Sequence, residues 1–192
     1  MPVIDSGPPI IIVLGGFAGT GKTTLSKRLA SDFHLPRLSS DTIAQLIASS
    51  KATQHSDINT YWLAYDLVFG LCEEFLRHGS SMVLDLNMGW SFQWQHLDTL
   101  KARYPHTRII PIVLRCSRDV CLERIRQRYA DDPTTSDPVE QYITVPHILD
   151  VWTFLEELDR PDIVSIDAAQ PLENVYTDIV YILMQHLPRH KG

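Results

Sequence analysis

The chain has 192 residues, 44% of them hydrophobic, which is the size and composition of one domain with a full core. A net charge of −6 excludes a global basic footprint for nucleic acid. The longest apolar run, 10–14, is far too short to span a bilayer, and no basic region followed by an apolar stretch opens the chain, so a cytoplasmic protein without membrane contact is expected.

Residues 1–9 are turn-rich and read as a flexible tail ahead of a single domain over 10–192. Residues 9–14 form a continuous apolar run, the pattern of a strand buried on both faces. A glycine-rich turn follows, and then a helix over 22–33 with Leu25, Leu29 and Phe33 on one face. A brief second strand, 36–40, leads into a helix over 42–49 and a polar loop over 50–56. A long helix over 58–78 ends at Gly79. The third strand is 81–85, and Trp94, Leu97, Leu100 and Tyr104 mark the next helix. The fourth strand, 107–114, contains Pro111, which predicts a place near an edge or bulge. A helix over 119–128, a fifth strand over 163–167 and a closing helix over 172–187 complete the chain.

Strands alternating with helices predict an α/β fold: a doubly wound, five-stranded parallel sheet with helices on both faces. Such sheets bind ligands beyond the carboxyl ends of their strands. The loops after Leu14, Ser39, Asp85, Leu114 and Asp167 are therefore the ones to inspect.

The first of these loops carries the strongest signal. Gly16-Phe17-Ala18-Gly19-Thr20-Gly21-Lys22-Thr23 fits G-x-x-x-x-G-K-[ST] without mismatch, after a buried strand and before an amphipathic helix. Glycines allow a tight turn whose backbone N–H groups hold phosphate oxygens, and the positive end of the helix adds to the cradle. The motif assigns residues 16–24, through Thr24, to ATP, Lys22 to the β- and γ-phosphates and the Thr23 hydroxyl to Mg²⁺. No N-K-x-D motif is present to read guanine.

Charge is unevenly spread. Residues 101–128 hold eight basic and two acidic side chains, so one region is built to meet anions. Within it Arg124 and Arg128 are four apart and share a helical face. The polar, turn-rich stretch beyond them suggests a small arginine-bearing lid over roughly 124–140. There the two arginines would stabilise charge on a transferring phosphoryl group; the alternative is a solvated helix face. Asp85 closes an apolar strand, where a carboxylate holds Mg²⁺ through water or caps a turn. Asp41 follows the second strand, either as a helix cap or at an acceptor hydroxyl. Trp90, Phe92 and Trp94 crowd one loop, as pocket lining or as core. Cys72, Cys116 and Cys121 form no C-x-x-C pair and read as reduced, mostly buried thiols.

With its central glycine, Gly16-x-x-Gly19-x-Gly21-Lys22-Thr23 resembles the P-loop kinases of the nucleoside-monophosphate-kinase-like group. That group includes shikimate and gluconate kinases, antibiotic phosphotransferases, zeta-toxin-like kinases and polynucleotide 5′-kinases, and the stretch is also similar to a small AAA-type ATP-binding domain. Ser39-Ser40-Asp41, Val83-Leu84-Asp85-Leu86-Asn87, Arg124-Ile125-Arg126-Gln127-Arg128 and Ile166-Asp167-Ala168 resemble the group's later motifs in order and spacing. The resemblance implies an ATP- and Mg²⁺-dependent phosphotransferase with Asp41 as general base and an alcohol as acceptor. Between Arg37 and Arg77 there is no arginine and only Lys51, which departs from kinases that grip an acceptor phosphate. An uncharged small molecule is the expected acceptor. A polynucleotide 5′-hydroxyl is the alternative, and an ATPase switch acting on a protein partner is the alternative of another class.

Overall fold

The computed structural model describes residues 7–51, 59–130 and 139–186. Its strands are β1 (Ile10–Gly16), β2 (Arg37–Ser39), β3 (Met82–Asp85), β4 (Arg108–Arg115) and β5 (Val164–Asp167). They pair in the order β2-β3-β1-β4-β5, every neighbouring pair parallel. The helices are α1 (Lys22–Asp32), α2 (Ser40–Ser49), α3 (Thr60–Arg77), α4 (Ser91–Arg103), α5 (Arg118–Arg128), α6 (Glu140–Thr144), α7 (Pro146–Glu157) and α8 (Leu172–His186).

The period of a strand explains the layering. Ile11 and Val13 of β1 point to one face, where they meet Val68, Cys72, Leu97 and Trp152 from α3, α4 and α7. Ile10, Ile12 and Leu14 point to the other, where Leu25 and Leu29 of α1 and Ile179 and Leu183 of α8 cover them. The central strand is fully buried along its length, which is why its sequence is apolar at every position and not at alternate ones. The doubly wound sheet with helices on both faces is thus present as expected.

Several expectations are corrected. Pro111 does not mark an edge, because β4 lies between β1 and β5 and Pro111 stands in register with Val13. Arg108 N–H donates toward β1 to Pro9 O, and Arg115 O accepts from Ala168 on the β5 side. Backbone groups alternate along a strand, so residue 111 turns its nitrogen toward β5. That strand begins opposite Ile112, and the missing N–H costs no ladder bond. Helix α2 starts at Ser40, not at 42, and Ser39 is its cap, the Oγ accepting from Thr42 N–H. Helices α6 and α7 were not expected at all. The remaining element ends move by one or two residues. The tail over 1–6, most of the loop over 50–56, the start of the helix at 58, the lid segment 131–138 and Leu187 lie outside the described residues.

Candidate active site

Strand β1 ends at Gly16 and α1 begins at Lys22, so the glycine-rich motif forms the turn between them at the carboxyl edge of the sheet. Gly21 precedes α1 with φ 92 and offers no side chain as a cap. The first N–H groups of α1 are therefore left to a ligand. Gly19, at φ +83, is forced by contact as well: a Cβ there would stand 2.5 Å from Cys121 O. Phe17 anchors the turn from below. Its buried ring meets Trp152 edge-on at 4.7 Å and Tyr142 at 6.0 Å, contacts that hold the loop against α7 and α6.

The Phe17 carbonyl accepts from Thr20 Oγ1 and from Lys22 Nζ, each at 2.8 Å. Lys22 thus folds back over its own loop. Burial pulls its ammonium below the ordinary lysine range, against the opposing attraction of Asp85 and Asp41. Thr23 and Thr24 are exposed at the mouth of the loop.

A single cleft of about 970 Å³ joins this loop to the elements across from it. Lys22, Thr23, Asp41, Asp85 and Arg128 all line it. Asp41 sits in the first turn of α2 and is exposed, and among the described residues no hydrogen bond engages its carboxylate. Because Ser39 caps the helix, the capping explanation for Asp41 is removed.

Asp85 is buried at the end of β3. Its Oδ2 accepts from Ser26 Oγ at 2.8 Å and from Arg37 Nη2 at 2.5 Å. Arg37 Nε in turn donates to Ser26 Oγ at 2.7 Å. Sequence reasoning missed Arg37. The register that sets Ser39 beside Asp85 also puts Arg37 on the same edge of β3, and that pairing could not be seen before the strand order was known.

The far wall is aromatic. Trp62 meets Trp90 at 5.6 Å and Tyr65 at 6.2 Å, and all three line the cleft with Tyr61. Burial pushes the Tyr65 hydroxyl up to about 12, although the neighbouring polar side chains of Ser40, Gln93 and Asn87 oppose that shift. Trp94 belongs to the core: it is buried, and its indole N–H donates to Met88 O at 3.0 Å. Phe92 packs behind Trp62 at 5.3 Å and does not line the cleft. Tyr142, His147 and Val151 of α6 and α7 form a second wall that the sequence reading lacked.

The two arginines of α5 have different surroundings. Arg124 donates to Ala168 O at 2.7 Å, Ala169 O at 3.3 Å and Gly19 O at 3.5 Å, tying the phosphate loop to the turn after β5. Arg128 is exposed and projects into the cleft. Lys51 is exposed and lies away from the cleft lining. No helix among the described residues is long and apolar enough to cross a membrane.

A family model described as an AAA domain matches residues 11–144, which contain the loop, Asp41, Asp85 and both arginines. The fold is similar to that of a candidate kinase from Chloroflexus aurantiacus J-10-fl, at 25% identity, 95% of this chain and 97% of that one covered and a TM-score of 0.66. It is also similar to a gluconokinase from Sinorhizobium meliloti 1021, at 20% identity, with 93% and 94% covered and a TM-score of 0.60. Shikimate kinase from Aquifex aeolicus VF5 is similar at 18% identity, with 92% and 97% covered and a TM-score of 0.61. No curated protein matches the chain. The architecture is the P-loop fold of the nucleoside-monophosphate-kinase-like group.

Proposed function

The chain belongs to the AAA-domain family whose model spans residues 11–144, and from that premise we propose that it is an ATP-dependent kinase acting on a hydroxyl of an uncharged small molecule. The observation that carries this reading is the cleft itself. It joins the phosphate loop to an uncapped, exposed carboxylate, Asp41, and to an aromatic wall without a free cation among the described residues. A phosphate donor and an alcohol acceptor need those two halves side by side.

In this reading residues 16–24 hold the ATP phosphates. Lys22 leaves the Phe17 carbonyl and moves onto the β- and γ-oxygens, where its charge has a better partner. Asp41 orients the acceptor hydroxyl and takes its proton, general-base help typically worth about 10²–10⁴-fold. Arg128 meets charge that develops on the transferred group. Arg124 keeps the loop and the turn after β5 in place. The gluconokinase and shikimate kinase of similar fold have names that specify small hydroxy acids, which supports a small hydroxyl-bearing acceptor, while its lack of charge rests on the cleft lining alone.

The donor set also fits one Mg²⁺. Thr23 offers an exposed hydroxyl beside the loop. Asp85 has Oδ2 engaged, which leaves its other oxygen to reach a metal through water, the arrangement magnesium favours. Bound there, the ion would neutralise phosphate charge during transfer. An ATP-consumption screen over neutral sugars, nucleosides and other ring-bearing alcohols tests the proposal. Turnover that depends on one such alcohol and on Lys22 supports it; steady hydrolysis indifferent to every alcohol contradicts it.

A further inference from the structure

Two sulfur atoms face each other beneath the phosphate loop, outside the cleft. Cys116 stands in the turn after β4 and Cys121 in the first turn of α5, with their Sγ atoms 2.8 Å apart. Both are free thiols, as is Cys72. The pair escapes a C-x-x-C search because five positions separate its members, and the strand-to-helix turn brings them together. Cys121 is fully buried. Cys116 is partly exposed and lines a second cavity of about 610 Å³, with Phe17, Trp152 and Asp167.

We propose that Cys116 and Cys121 are a modification site: a peroxide oxidises them to a reversible disulfide, and that bond slows the chemistry of the neighbouring phosphate loop. Cys116 is the point of attack. It alone of the two reaches a cavity, and the Cys121 thiol hydrogen-bonded to it holds its own thiol down to about 7, with help from the charges of Arg124 and Lys22. The Cys121 thiol is shifted the other way by that bond and by burial. The Cys116 thiolate attacks a peroxide oxygen; the O–O bond breaks, an S–O bond forms and one water leaves after protonation. The Cys121 thiol then attacks that sulfur, the S–S bond forms, and the departing hydroxide takes its proton as a second water. Two thiols are oxidised and one peroxide is reduced to two waters. A disulfide is about 2.05 Å long, so the sulfurs need close by less than about 1 Å.

The link to the loop is steric. Gly19 packs so tightly on Cys121 that a Cβ would stand 2.5 Å from its carbonyl oxygen and 3.0 Å from its Cα. One turn further along α5, Arg124 bonds the Gly19 carbonyl. Drawing Cys121 toward Cys116 moves the surface on which the loop rests. The loop's N–H groups then lose register with the phosphate oxygens.

The test treats the full chain with hydrogen peroxide, counts thiols after unfolding, and measures ATP affinity and turnover. The expected result is a fall from three reactive thiols to one, with Cys72 retained because burial pushes its thiol up to about 12. Turnover should drop at least about tenfold, since displacements near 1 Å cost up to about 10²-fold, and should return with dithiothreitol. Cys116→Ser and Cys121→Ser should form no disulfide and keep their turnover after peroxide. Should Cys121→Ser fail to fold, Cys116→Ser carries the comparison, because its side chain is only partly buried. Three thiols surviving peroxide overturn the proposal, and so does a disulfide that leaves both affinity and turnover unchanged. Thiol counts and ATP affinity do not require an acceptor, so this outcome is separable from that of the acceptor assignment.

Discussion

Arg37 Nη2 donates to Asp85 Oδ2 at 2.5 Å, inside a sheet edge that leaves the two side chains 14% and 5% exposed. A charge pair this shielded is costly to break from one side, because the survivor stays buried and unpaired. Arg37→Met should therefore lower stability by about 3 kcal/mol in urea unfolding. Arg37→Met combined with Asp85→Leu should regain most of that loss without regaining turnover, since the proposed reading gives Asp85 a second task at the metal. A single Arg37→Met variant as stable as the parent chain would show that the pair is open to water.

Ser39 and Asp41 separate capping from chemistry. Ser39→Ala should cost about 1 kcal/mol through loss of the α2 cap, with the catalytic rate largely kept. Asp41→Asn should do the reverse: at least about 10²-fold off transfer, little change in ATP affinity, and an unchanged melting temperature. Rate and melting data on these two variants decide the point, and a fully active Asp41→Asn rules out the base.

Lys22 links function to instability. Burial lowers its pKa in the folded chain relative to an ordinary value near 10.5. Below the folded pKa the lysine is charged in both states and the desolvation penalty is complete. As pH climbs through the folded value toward 10.5, the unfolded chain binds more protons and the penalty is relieved. Lys22→Met should thus be more stable than the parent at neutral pH without ATP, an advantage that shrinks under alkaline conditions. Its turnover should fall by at least about 10²-fold. Urea titrations at several pH values provide the check, and a variant that is less stable at neutral pH contradicts the burial argument.

Parts of this molecule were legible in sequence and parts were not, for physical reasons. Strand β1 announced itself because a strand buried on both faces is apolar throughout, and the loop after it because close approach to Cys121 and positive φ leave glycine little competition. Helix α7 carries Ile148, Val151, Trp152 and Leu155 at helical spacing after Pro146, yet it went unread. The turn-rich residues before it suggested a lid and nothing more. Arg37 was invisible because its partner lies 48 positions away, and only the order β2-β3 joins them. Trp94 and Trp90 look alike in sequence, and the indole bond to Met88 sorts one into the core.

Arg124 and Arg128 share a helical face but should behave differently when removed. Arg124→Ala frees the Ala168 carbonyl from its 2.7 Å bond and loosens the phosphate loop. It should raise the KM for ATP and cost about 1–2 kcal/mol of stability. Arg128→Ala removes an exposed side chain that faces the cleft, so stability should hold while kcat falls about 10–10²-fold. Steady-state kinetics beside thermal melts distinguish them. Identical profiles for the two variants would mean that their different surroundings have no functional weight.

The sharpest expectation concerns acceptor charge. A phosphate on the acceptor needs a fixed cation, and arginine serves best because its fork matches phosphate oxygens. Among the described residues, the cations lining the cleft are Lys22, Lys27, Arg37 and Arg128. Lys22 sits in the phosphate loop, Arg37 is occupied by Asp85, and Arg128 belongs to α5, where the proposed reading gives it to the transferred phosphoryl group. Lys27 projects from α1, the helix that the loop itself begins. On the acceptor side α2, α3 and the Trp90 turn contribute Asp41, Gln45, Tyr61, Trp62, Tyr65 and Asn87, none of them cationic. AMP, CMP, UMP and dTMP should therefore fail as substrates, while a neutral alcohol with a flat or apolar face is turned over. Coupled measurement of ATP-dependent phosphorylation settles each case. Turnover of any one monophosphate above about 1 s⁻¹, the low end of ordinary enzyme rates, would show that a cation reaches the acceptor after all.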